Sequence, residues 1–306
     1  MNNMLSISTT WNYKPDMNMR AWVSKIHDMG LNAIELDYNI SREHLEEIRG
    51  LMKEMNLQVT SVHNFCPVPN DGPSERHISN YYRLSSLDKN ERQKAVEWTK
   101  KTVDTAAGFG AQVVVIHAGT VESEDDRASA VFNLYKRGKR NTKEFLRERD
   151  GLLKQRQMLR DRHLNVLVKS LAQVVDYARK KKIRIGLENR YYPTEIPNFE
   201  EIGYLLGLFG GGGMGYWHDV GHAEMNERLG ITAHLDYLNA YQDKLIGVHV
   251  HGMKGVRDHL APFEGDLDLK KVLPFIKKKT LRVIETRHAS YGKMKAAVKK
   301  LSSYVP

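Results

Sequence analysis

Cysteine is almost absent from this chain of 306 residues: Cys66 stands alone between Phe65 and Pro67. No intrachain disulfide can form, thiolate metal sites are excluded, and the thiol reads as a packing residue of a protein in a reducing compartment. Long hydrophobic runs are missing too, since no apolar stretch approaches the roughly 18–20 residues of a membrane span. The start, MNNMLSISTT, has none of the basic character that opens a signal peptide. The cytoplasm is the expected location. A glycine-rich turn is lacking after the first apolar run, where the sequence reads ISTTWNY, which argues against an open doubly wound sheet around a dinucleotide. FGGGGMG at 209–215 does satisfy G-x-G-x-x-G through Gly210, Gly212 and Gly215. It follows a helical stretch and enters a strand, the reverse of the order that places pyrophosphate on a helix N-terminus. It reads as a flexible connection.

Acidic residues fall short of basic ones, 37 against 47, giving a formal net charge of +10. Such a balance invites a nucleic-acid reading. The surplus is local, however: residues 122–182 hold 17 Lys/Arg against 9 Asp/Glu and supply +8 of the +10. A charged, helix-rich insertion, with a solvated face or a subunit contact, accounts for it. Nucleic acid is disfavoured as a partner but stays open, and a homo-oligomer built on this segment is a candidate.

What is present is regular alternation. Apolar, β-rich runs occur at 4–9, 32–37, 57–63, 112–117, 183–188, 214–218, 245–251 and 281–285. Their near-continuous apolar character suits parallel strands buried on both faces. Amphipathic stretches at 19–29, 43–55, 90–109, 164–181, 200–208, 269–278 and 291–301 lie between them. Eight strands alternating with helices predict an α/β fold closed into a (β/α)8 TIM barrel, one domain over 1–306. The segment 119–182 exceeds what one crossover helix needs. It predicts an extended loop and extra helix near the mouth, a lid or a dimer arm, ahead of the crossover helix.

Four of the strands close on a metal-ligand residue type: Glu188, Asp219, His249 and Glu285, at intervals of 31, 30 and 36 residues. Those intervals are about one strand-plus-helix unit, so all four side chains arrive at the barrel mouth, where active sites of such barrels lie. Each alone has a plain structural alternative. Glu188 could pair with Arg184 or Arg190, Asp219 could cap the next helix with His222 packing nearby, and Glu285 could pair with Arg287. Together they predict a site for one divalent ion. Three carboxylates and an imidazole suit Mn, Mg, Co or Zn. His251 shares a strand face with His249, so one is a ligand and the other touches substrate or supports a ligand. His63 and His117 end two further strands at the same mouth. Trp11 and Trp217 lie near strand ends, where they stack on a sugar or pack as wall.

These phrases form a set: S-V-H at 61–63, I-H-A-G at 116–119, L-E-N at 187–189, D-V-G-H at 219–222, H-V-H-G at 249–252, D-H-L-A-P-F-E-G at 258–265 and I-E-T at 284–286. With G-L-N-A-I-E-L at 30–36, the set resembles the xylose-isomerase-like TIM-barrel superfamily, which holds sugar phosphate isomerases and epimerases and the endonuclease IV family. The resemblance implies that Glu188, Asp219, His249 and Glu285 hold the principal metal. In the ketose epimerase branch, the equivalents of Glu188 and Glu285 also move protons through a cis-enediolate. The substrate would be a small sugar or sugar phosphate.

The endonuclease IV branch is the alternative, a zinc phosphodiesterase acting on DNA. By that resemblance His63 and His117 match ligands of a second metal, and His222 and His259 match two of three ligands of a third. The departure is the D-x-H motif, here Arg257-Asp258-His259. An arginine where a carboxylate ligand belongs opposes a third metal, favours the isomerase branch and leaves His259 for substrate. Arg190, Arg287 and Arg257 are candidate anion contacts. A sugar- or cyclitol-binding barrel without catalysis is a third reading, and the lysine-bearing second-metal motif of xylose isomerase proper is not found.

Overall fold

A computed structural model describes residues 5–123 and 125–304. Eight parallel strands close into a barrel in simple sequential order: β1 (Leu5–Ser8), β2 (Ala33–Leu36), β3 (Gln58–His63), β4 (Val113–Ile116), β5 (Arg184–Glu188), β6 (Met214–Asp219), β7 (Leu245–Val250) and β8 (Leu281–Ile284). Every expected strand is present, and β8 hydrogen-bonds to β1 to complete the circle. Met4, expected in the first strand, lies outside the described residues. No helix among those described is long and apolar enough to cross a membrane.

Helices pack around the barrel for the reasons their sequences suggest. In α1 (Met19–Asp28), Met19, Trp22, Val23 and Ile26 recur on one buried face, and the Asn18 side chain caps the first turn. α2 (Arg42–Glu54) and α3 (Lys89–Gly108) are capped by Ser41 and Asp88 in the same way. After β4 come α4 (Arg127–Lys136) and α5 (Lys143–Lys180), the latter 38 residues long. The crossover helix expected at 164–181 is thus the lower half of α5, which begins well upstream. The FGGGGMG segment is the connection it was read to be. α6 (Phe199–Phe209) ends in a single 3-10 turn over Gly210–Gly212, and Gly213, at φ +109°, leads into β6.

One expected helix is absent. Residues 269–278 form two short 3-10 turns, Leu269–Lys271 and Leu273–Phe275. Pro274 removes a backbone donor and biases Leu273 away from the α region, so a continuous helix cannot pass through it. α4 lies in the segment where an extra helix was expected, α7 (Val220–Arg228) is the helix that Asp219 had the option of capping, and α8 (His234–Tyr241) was not anticipated. The last helix, α9 (Tyr291–Ser303), buries Met294, Ala297, Val298 and Leu301.

Two antiparallel ribbons shape the rim: Gly119–Thr120 with Glu195–Ile196, and Gly252–Lys254 with Arg257–Leu260. Beneath the mouth, Val113, Val115, Trp217 and Val283 belong to a small apolar cluster. Trp217 is fully buried there, packed as barrel filling. Its ring occupies space left by a missing side chain: a Cβ on Gly247 would lie 2.1 Å from it. Trp11 is buried beside Trp22, with its indole N–H donating to the carbonyl of Ala289 at 3.1 Å. Neither indole is a sugar platform. Cys66 is buried, and burial pushes its thiol pKa well up, so the residue packs.

Candidate metal centre

The register brings the four strand-end residues together. His249 on β7 lies opposite Asp219 on β6, with Val283 of β8 on its other side and Glu285 two residues beyond. Nδ1 of His249 stands 2.9 Å from Glu188 Oε1, 3.0 Å from Glu285 Oε2 and 3.8 Å from Asp219 Oδ2. Potential ligand atoms of the four residues all fall within 4.8 Å of one another, and all four residues are buried. Three carboxylates and one nitrogen thus converge, with Arg190 touching only the outer oxygen of Glu188 at 3.1 Å. Buried carboxylates so grouped call for a cation, and the donor set fits a divalent ion.

Electrostatics show the same demand. Burial opposes ionisation of Glu188, but His117, His249 and His63 outweigh it and hold its pKa well below the ordinary value. Burial likewise opposes ionisation of Glu285, and His249 and His259 pull its pKa below the usual range. For His249, burial favours the neutral ring, yet Glu285, Glu35 and Glu188 raise its pKa well above normal. A divalent ion bound by these groups would offset the same excess of carboxylate charge.

Neighbouring side chains orient these groups. The far nitrogen of His249, Nε2, meets Glu35 Oε1 at 3.1 Å, and Glu35 Oε2 accepts from Ser61 at 2.7 Å. This is the carboxylate–histidine arrangement that fixes a metal-binding imidazole. Asp219 caps α7, accepting from the backbone N–H of His222 at 2.7 Å, so the helix-cap role and a place in the cluster coexist. His251 stands behind Asp219. Its Nδ1 lies 3.1 Å from both the N–H of His259 and the carbonyl of Gly252, and its Nε2 lies 3.1–3.2 Å from the two Asp219 oxygens, so in this structure the ring is directed at Asp219.

The other histidines form a second tier. His117 Nε2 is 2.8 Å and His63 Nε2 3.6 Å from Glu188 Oε2. His222 donates from Nδ1 to the carbonyl of Asn189 at 2.9 Å, which leaves Nε2 as its free ligand atom. Asp219, His222 and His259 form another buried group with ligand atoms within 4.8 Å. His259 is stacked on His251 at 4.4 Å, 3.0 Å from Asp258 Oδ1 and 3.4 Å from Glu285 Oε2. Burial favours its neutral form, but Glu285 and Asp258 raise its pKa to about 10.

The arginines separate. Arg190 is buried between Glu188 (3.1 Å) and Glu195 (2.7 Å), an ion-pair partner and not a free anion contact. Arg257 is exposed on the ribbon and is not among the residues that line the cavity above the cluster. Arg287 does line that cavity, bonds Tyr38 Oη at 3.3 Å, and has no carboxylate within ion-pair distance among the described residues. The cavity, about 320 Å³, is also walled by His77, Tyr191, Tyr192, His117 and Asp258.

The sequence reading missed Glu35 and Asp37, both fully buried at the end of β2. The signal was there: in I-E-L-D they sit two apart on one strand face, the rule used for His249 and His251. Burial raises the pKa of Asp37 to about 7, partly offset by His63 and reinforced by Glu285 and Glu35, and its Oδ1 has no hydrogen-bond partner.

A closed eight-stranded parallel barrel with a carboxylate–histidine cluster at the strand C-termini defines a metalloprotein-like TIM barrel. Residues 23–301 match the family described as xylose isomerase-like TIM barrel, and the chain belongs to it. A curated relative, the uncharacterized protein y4fM of Sinorhizobium fredii (strain NBRC 101917 / NGR234), is 25% identical over 244 residues. That match covers 76% of this chain and 66%, just under two thirds, of the relative. Solved structures share the fold. A D-allulose 3-epimerase from Methylomonas sp. aligns with TM-score 0.67 at 14% identity, over 98% of this chain and 97% of that one. A D-tagatose 3-epimerase-like protein gives 0.65 at 17%, over 98% and 96%. An IolI protein with a bound zinc atom gives 0.66 at 13%, over 98% and 96%.

Proposed function

We propose that the protein is a divalent-metal-dependent isomerase or epimerase of a sugar or sugar phosphate. The observation that carries this reading is the convergence of Glu188, Asp219 and Glu285 on Nδ1 of His249. A divalent ion held by these four residues supplies Lewis-acid polarisation of a ketose carbonyl and its neighbouring hydroxyl. One of Glu188 and Glu285 would take the proton beside the carbonyl as a carboxylate, and the other, carrying a proton in that step, would deliver it to the opposite face of the cis-enediolate. His117 and Arg190 anchor one carboxylate; His259 steadies the other. Arg287 faces the cavity as the contact for a phosphate or distal hydroxyl. A cavity of about 320 Å³ fits a small molecule, and the fold neighbours that are sugar epimerases support the same direction.

A second reading keeps one specific support. Asp219, His222 and His259 group closely despite Arg257, as a phosphodiesterase with a further cation would need. Metal analysis, followed by proton exchange in D2O over ketoses and ketose phosphates, separates the two. The expected result is bound divalent metal and exchange of the C–H beside the keto group, lost on chelation. Cleavage of abasic-site DNA by metal-loaded protein, without exchange on any ketose, overturns the isomerase reading.

A further inference from the structure

The insertion between β4 and β5 builds a second cavity, of about 350 Å³, against the first. Tyr191, Tyr192 and Val256 line both cavities and form the partition. The hydroxyl of Tyr191 donates to the carbonyl of Val256 at 2.7 Å, which holds the ring in the wall that the two cavities share. The opposite wall is one face of α4, where Ser129, Phe132, Asn133 and Lys136 follow helical spacing. Phe132 stacks on Tyr191 at 5.7 Å and lies 5.3 Å from Tyr192, whose ring stays 51% exposed. The wall is fixed in place. Val131 and Leu134 are buried, and Arg127 ties α4 to Glu148 of α5 at 2.9 Å.

We propose that this outer cavity is a subsite for a second sugar ring, so that the substrate is a ketose carrying a further glycosyl group. The substrate class rests on the ketose reading above; the subsite rests on the lining. Tyr192, its ring half exposed and backed by the buried Phe132, offers aromatic surface to the C–H face of a pyranose. Ser129, Asn133 and Lys136 offer hydroxyl, amide and ammonium groups to its hydroxyls. A nucleotide or diphosphate would need more than one cation, and an apolar aglycone would leave the polar side chains of α4 unpaired. The two cavities are of similar size, and their shared wall sets the linkage between the rings.

The test uses the metal-loaded full chain and two cavity-filling variants on exposed positions of α4, Ser129→Trp and Asn133→Trp. Proton exchange is compared for free ketohexoses and their 4-O- and 6-O-glucosylated forms, and binding of methyl β-glucoside is read by saturation-transfer NMR. At least one glucosylated ketose is expected to exceed its parent in kcat/KM. Filling the cavity lowers that value by about tenfold or more and leaves the parent ketose unchanged. Saturation transfer to methyl β-glucoside disappears in the Trp variants. Equal or lower kcat/KM for every glucosylated form, or glucoside binding that is absent or survives both variants, overturns the proposal. No exchange from any ketose, with glucoside transfer intact and sensitive to Trp, rejects the ketose reading while supporting the sugar subsite.

Discussion

Glu35 Oε1 lies 3.1 Å from Nε2 of His249, whose other nitrogen faces the three converging carboxylates. The pair spans the barrel from β2 to β7, so one strand sets the ring orientation that the opposite strand presents. Removing the Glu35 charge is expected to loosen metal binding without touching a ligand. Glu35→Gln should lower divalent-metal affinity by about 10–100-fold, measured by competition with a chelator, while activity at saturating metal largely returns. Unchanged affinity would show that packing against His63 and Trp217 alone holds the ring.

Glu188→Gln and Glu285→Gln each keep the shape of the side chain and remove its charge. Each should reduce proton exchange by at least roughly 10²–10⁴-fold. Metal content measured on the same samples separates lost chemistry from lost binding. Near-wild-type exchange in either metal-loaded variant would remove that residue from the mechanism.

Asp37 gives the metal-free protein a pH dependence of known sign. Burial raises its pKa from 3.8 to about 7, so the folded chain holds this proton more tightly than the unfolded chain does. Stability from this group is therefore greatest at low pH and declines as pH rises from about 4 through 7. Ionisation in the fold costs on the order of 4 kcal/mol relative to water. Asp37→Asn should be more stable than wild type at pH 8 and nearly equal to it at pH 4, by urea unfolding. A constant difference across that range would rule out titration as the cause.

Gly247 is required by the ring beside it. A methyl group there would meet Trp217 at 2.1 Å, and a buried indole between strands has little room to retreat. Gly247→Ala should cost at least about 1–3 kcal/mol. Because His249 lies two residues on along the same strand, metal affinity should fall in parallel. A variant with full stability and full affinity would mean that the ring shifts freely.

Barrel and cluster were legible for one reason: each of the four residues is a metal-ligand type at or near the end of an apolar run, and the runs repeat at unit spacing. Glu35 and Asp37 obey the same alternation, but G-L-N-A-I-E-L at 30–36 reads as part of the resemblance and not for the carboxylate it carries. H-D-V-G-H reads both as a ligand phrase and as a helix cap, and Asp219 does open α7 there. The failed helix at 269–278 had the right amphipathic residues, and Pro274 decided against it. His251 shows the limit of strand-face reasoning. Sharing a face with His249 gives its direction but not its neighbours, since Nδ1 lies against the backbone of the following ribbon and Nε2 against Asp219.

The 38 residues of α5 are one uninterrupted rod, roughly 57 Å long. Its lower end is an ordinary barrel crossover, and its upper end carries α4 against the outer cavity. Inserting one residue into its exposed middle would rotate everything above by about 100°, and seven residues would raise it by about 10 Å with nearly the same face forward. The helix is thus a screw adjustment on the aperture: chain length there can retune the shape of the outer cavity, while the carboxylates and His249 below keep their places.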